Sequence, residues 1–202
     1  MRYAFAILIN VILPWVAYRL TLPHFGMEGA LLASAAPLCL WLGIDFIRFS
    51  HFDALSAIVL AGILMSLLVL ALQPATWLLK SREPLISGAI GFLFLLSLLL
   101  RRPLVFYLAR STLSRERQGR ELDFDVMWQS RPKLMKSVRL MTAVWGIGLV
   151  IENILRLAVI DRFSVDEAER ASTFIRYGFY AGLTIWTMLY RRLYLRKPDQ
   201  AV

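Results

Sequence analysis

Val138-Arg-Leu-Met-Thr-Ala-Val-Trp145-Gly-Ile-Gly-Leu-Val-Ile-Glu152-Asn153-Ile-Leu-Arg156-Leu-Ala-Val-Ile160 decides how the rest of this chain is read. It is an apolar run with a single acid set inside it. About 20 apolar residues in a helix cross the hydrocarbon core of a bilayer, and this run is long enough. An ionisable group at such depth costs about 3 kcal/mol on insertion scales and usually faces the protein interior. Glu152 is therefore the best single pointer in the sequence to where this protein does something, though not to what it does.

Working outward, five further apolar stretches of similar kind appear. The six lie near residues 4–20, 29–47, 54–73, 84–100, 138–160 and 172–190. The 58% hydrophobic content and a mean hydropathy of +0.61 exclude an ordinary soluble domain. Breakers separate the runs: Pro23 with Gly26, Ser50-His51, and Pro74 with Ser81-Arg-Glu-Pro84. The first run follows Arg2 but lacks a small-x-small cleavage site, so it reads as a span and not as a signal peptide. The expectation is an all-α polytopic membrane protein. It has six transmembrane helices in three in–out–in hairpins and forms one integral membrane domain over residues 1–202.

Charge placement orients it. The net charge is +9, and with the N-terminus inside, sixteen of the 23 basic residues fall in cytoplasmic segments. The positive-inside rule then puts both termini in the cytoplasm. The surplus forms a basic collar that attracts anionic headgroups at about 1 kcal/mol per Lys or Arg. No nucleic-acid motif accompanies it, so lipid is the expected partner and nucleic acid is not. Other proteins of the same membrane, or a second copy, are the remaining expected partners.

Residues 101–113 (RRPLVFYLARSTL) place Leu104, Val105 and Leu108 on one helix face, which predicts an amphipathic helix in the inner interface. The polar stretch 114–137 reads as a cytoplasmic loop. Trp128, Trp145, Trp186, Tyr177, Tyr180, Tyr190 and Tyr194 lie mostly near span ends, as aromatic belts do. The one cysteine, Cys39, sits in an apolar run and rules out a disulfide framework; a buried free thiol is expected.

Arg156 stands four residues after Glu152, on the same helix face. Depth arithmetic brings Arg176 of the sixth run within reach, and Asn153, Tyr177 and Arg19 complete a candidate intramembrane cluster. Its plain reading is a buried ion pair that fixes helix register. The functional alternative is a site for a proton, an ion or an anionic headgroup, since arginine suits phosphate and carboxylate groups. A second, inner-side cluster comprises Asp45, Arg48, His51 and Asp53. Only two histidines exist, so a boundary salt bridge and helix cap explain it better than a metal site. Gly88, Gly91, Gly146 and Gly148 read as close-approach positions, and the serines in apolar runs as packing residues. No catalytic residues, metal ligands or cofactor motif are identified, and enzymatic activity has no warrant in the sequence.

Arg102-Pro103-Leu104-Val105-Phe106-Tyr107, Trp128, and the Trp145-initiated span with a polar residue at its centre form one series. Together with Asn10…Leu13-Pro14…Tyr18-Arg19 it resembles a family of small bacterial inner-membrane proteins of unknown function. That family looks like a distant branch of the intracellular septation protein A group. The resemblance covers nearly the whole chain and implies a polytopic inner-membrane protein linked to cell-envelope synthesis and division. It carries no catalytic residues over. The expected function is a non-enzymatic scaffold or accessory factor in envelope maintenance or septation, and the alternative is a small transporter or lipid-handling protein.

Overall fold

In a computed structural model, residues 8–49, 54–71, 81–116 and 119–195 are described, with side chains except at 45–49, 115–116 and 194–195. Among the described residues all regular structure is helical. A π-helical turn (Leu8–Ile12) leads into α1 (Leu13–Phe49), followed by α2 (Ala54–Ala71), α3 (Arg82–Ser97), α4 (Leu104–Glu116), α5 (Arg120–Ser130), α6 (Pro132–Arg162) and α7 (Val165–Tyr190). A second π-helical turn covers Arg191–Leu195.

Three helices are long and apolar enough to cross a membrane: Leu8–Ile44, Ala54–Ala71 and Pro132–Arg162. The six expected spans map onto this set unevenly. The first two lie in one helical run interrupted only at Gly26, whose φ of 65° and ψ of −169° leave the helical region. A positive φ is open to glycine at no steric cost, so a single residue makes the break where a longer loop was expected. The fourth corresponds to α3, whose 16 residues reach only about 24 Å at 1.5 Å per residue. The sixth corresponds to α7, which is long but opens with Asp166, Glu167, Glu169 and Arg170.

The chain divides into two compact units, Met1–Ile86 with Phe106–Gln129, and Ser87–Val105 with Ser130–Val202. In the first, α1 buries Ala30, Leu31, Ser34, Ala35 and Leu38, a stripe at helical spacing. Cys39 follows Leu38, about 100° further round, and is exposed, contrary to the buried thiol expected. The buried Ser56 hydroxyl of α2 donates to Asn10 Oδ1 at 2.8 Å.

The same unit corrects the reading of 114–137 as a loop. Residues Arg120–Ser130 are helical, and α6 already begins at Pro132. Phe124 and Trp128, at i and i+4, share a face and find a buried partner in Phe106 of α4, at centroid distances of 5.2 and 4.8 Å. Trp128 is thus a core residue and not part of an aromatic belt. Glu121 and Asp123 in the first turn of α5 favour the helix through its dipole. An Arg110–Asp125 ion pair at 3.1 Å adds to the contact. The helix expected at 101–113 runs instead from Leu104, directly after Pro103, to Glu116. Among its described side chains the buried one is Phe106, while Leu104, Val105 and Leu108 are half-buried.

In the second unit α6 and α7 run antiparallel. Trp145 Nε1 donates to Thr187 Oγ1 at 2.9 Å, and Tyr190 Oη donates to Ser137 Oγ at 3.1 Å. Arg131, held extended before Pro132, ends α5 and lets a proline open α6 where no amide is needed. Against α6 lies α3, and glycines set the spacing. A β-carbon on Gly91 would stand 2.8 Å from Leu149 Cβ, closer than real contacts allow, and 3.0 Å from the Gly146 carbonyl oxygen.

Candidate functional site: a buried polar chain across three helices

Residues 87–97 of α3, together with α6 and α7, bring four polar side chains into one line. Glu152 points away from the exposed apolar side of α6, where Ile147, Ile151, Ile154 and Leu155 stand. It has no exposed surface, and Arg156 is 4% exposed. One helical turn separates them, so the guanidinium folds back along the helix and Nη1 donates to Glu152 Oε1 at 2.9 Å.

The neighbouring helices complete the arrangement. From α3, the Ser87 hydroxyl donates to Glu152 Oε2 at 2.6 Å. On the α7 side, Ser172 Oγ accepts Arg156 Nε–H at 2.6 Å. Both carboxylate oxygens are therefore taken, one by a charged donor and one by a hydroxyl. Ser87 and Ser172 are themselves buried, at 6% and 7% exposure. A carboxylate with both oxygens bonded inside protein avoids the penalty of an unpaired buried charge. The chain Ser87–Glu152–Arg156–Ser172 can hold three helices in register. As it stands, its buried carboxylate presents no surface to an incoming ion.

The other residues expected around Glu152 are placed variously. Asn153 turns toward α3, where its amide group fills the space a β-carbon on Gly88 would need, and its Oδ1 is enclosed without a partner. Arg176, one turn beyond Ser172 on α7, lies with its guanidinium 5.0 Å from the exposed Tyr177 ring. Arg19 belongs to the first unit, where it sits over Trp15 at 5.6 Å. In the inner-side cluster, the side chains of Asp45 and Arg48, and all of His51 and Asp53, lie outside the described residues.

Ser87 and Ser172 are the members that reading the sequence misses. Ser87 opens the small-residue row Ser87, Gly88, Gly91, and Ser172 stands four residues before Arg176. Those spacings place them on interior faces but do not say which polar group each meets.

No protein-family model matches the chain, and neither a curated protein nor a solved structure matches it.

Proposed function

We propose that this chain is a non-enzymatic inner-membrane protein, a scaffold or accessory factor in cell-envelope maintenance or septation. The observation that carries the reading is the closure of the Glu152 site. A transporter working through this acid must let its cargo or a proton carrier reach the carboxylate. Glu152 has no exposed surface, and both its oxygens are engaged by Ser87 and Arg156. An acid so enclosed acts as a fastener between helices, which suits a rigid docking body. The envelope and septation assignment rests on the family resemblance of Arg102–Tyr107, Trp128 and the Trp145 span.

The membrane arrangement belongs to the same proposal. Six spans form three hairpins with both termini in the cytoplasm, supported by the sixteen basic residues on that side. The collar engages anionic headgroups, and the helices dock other inner-membrane proteins or a second copy.

The test is extraction of the full-length protein in native lipid, followed by mass spectrometry of what accompanies it. Reproducible recovery of division or envelope-synthesis proteins supports the scaffold. Ion or proton flux in proteoliposomes that Glu152→Gln abolishes, with the fold intact, would replace it with transport.

A further inference from the structure

Ser81 immediately precedes α3, and its carbonyl accepts the Leu85 N–H at 3.0 Å, which makes it the N-cap residue. An N-cap serine ordinarily accepts, through its side chain, an amide proton from the second or third helical residue. Here the third is Pro84, which has no N–H. The Ser81 side chain is fully buried, and its Oγ has no partner among the described residues. The adjacent Arg82 repeats the pattern. Its Nε is enclosed without an acceptor, and Nη1 meets the Met27 sulfur at 2.9 Å. A thioether is a weak acceptor for a guanidinium.

Among the described residues, a hydroxyl without a partner and a guanidinium whose Nη1 meets only a sulfur thus stand on consecutive residues at the first turn of one helix. Buried donors left unpaired are costly, and the partial positive charge of a helix N-terminus adds to the demand for an anion. Glu83, in the same first turn, is exposed and complements part of that charge, while Ser81 Oγ and Arg82 Nε stay without a partner beside it among the described residues. Met27 follows the break at Gly26 and is 43% exposed, and its unbranched side chain can swing away. All of these residues belong to the first unit.

We propose that the N-terminus of α3 binds a phosphate-bearing group, which displaces the Met27 thioether and accepts from Ser81 Oγ, Arg82 and the first-turn amides. Phosphate suits the set because it offers several acceptor oxygens to a planar guanidinium and to helix amides together. The phosphodiester of a lipid headgroup and free phosphate share this chemistry. Neither the Glu152 chain nor the scaffold reading enters the argument.

The test uses full-length protein in detergent. Thermal unfolding is followed during titration with inorganic phosphate, against chloride at equal ionic strength, and separately with short-chain phosphatidylglycerol. Stabilisation is expected in at least one arm, with apparent affinity about tenfold weaker in Arg82→Gln and in Ser81→Ala. Stabilisation by phosphatidylglycerol alone assigns the site to a headgroup, and by inorganic phosphate in both wild type and Met27→Leu, to the phosphate group itself. Met27→Leu removes the sulfur and keeps every donor, so it must bind at least as well as wild type. No stabilisation in either arm, equal affinity in the Arg82 and Ser81 variants, or loss of binding in Met27→Leu would each overturn the proposal.

Discussion

Glu152→Gln isolates the contribution of the buried pair. The substitution keeps the size of the side chain and leaves an amide oxygen able to accept from Ser87 or from Arg156, but it removes the negative charge. The Arg156 guanidinium, 4% exposed, then loses the carboxylate that balances it. Breaking a buried pair from one side costs about 3–5 kcal/mol. For a chain of this size, 1 kcal/mol shifts the unfolding midpoint by about 2–4 °C, so Tm should fall by about 6–20 °C. Arg156→Gln should cost a similar amount by taking the cation from Glu152. The double variant Glu152→Gln with Arg156→Gln replaces the ions by two amides that can bond to each other, so its Tm should lie above that of either single variant. Thermal unfolding of all four proteins in one detergent, followed by tryptophan fluorescence, measures the cycle. Additive losses, or a Glu152→Gln protein as stable as wild type, would refute the inference that the pair fastens these helices.

Ser87→Ala removes one hydrogen bond to a charged acceptor and should destabilise by about 1.5–3 kcal/mol in the same assay, whereas Ser34→Ala, whose hydroxyl bonds to its own helix at the Leu31 carbonyl, should cost less. Phe106→Ala empties the centre of the α4–α5 contact and should cost about 3–5 kcal/mol, read as faster proteolysis in the segment joining those helices. In a Cys39→Ala background, a cysteine at Ser114 should resist an impermeant thiol reagent added from outside, and one at Ser164 should react; the reverse pattern would overturn the orientation. Gly91→Ala forces a β-carbon to within 2.8 Å of Leu149 Cβ and should lower stability by about 1–3 kcal/mol through overpacking.

What the sequence discloses and what it hides follow one physical division. Within a helix, geometry is set by period, so the Glu152–Arg156 contact is legible from an i,i+4 spacing alone. Between helices it is set by relative register, which no single period encodes; Ser87 and Ser172 are invisible as partners for that reason. The α4–α5 hairpin is hidden differently. The charges of residues 115–125 dominate the local composition, and the two aromatic residues that hold α5, Phe124 and Trp128, have meaning only once Phe106 is known to face them. Gly26 shows the opposite error. The Pro23–Gly26 breaker is plain in the sequence, but one left-handed glycine replaces the loop that was expected.

The buried chain and the glycines are parts of one arrangement. Serine has one of the shortest polar side chains, so Ser87 reaches Glu152 at 2.6 Å only because α3 and α6 lie unusually close. That closeness comes from Gly91 and Gly146, whose missing β-carbons let backbone meet backbone one turn from Ser87. In lipid, apolar side chains gain little from leaving the tails, so tight packing and interhelical hydrogen bonds must supply specificity. A uniform apolar seam between α3, α6 and α7 would permit sliding by a turn. The Glu152–Arg156 pair, held by a serine from each side, permits one register, since a shift of about 5.4 Å strands a charge in the interior. The acid inside the fifth apolar run is therefore explained by the geometry it enforces.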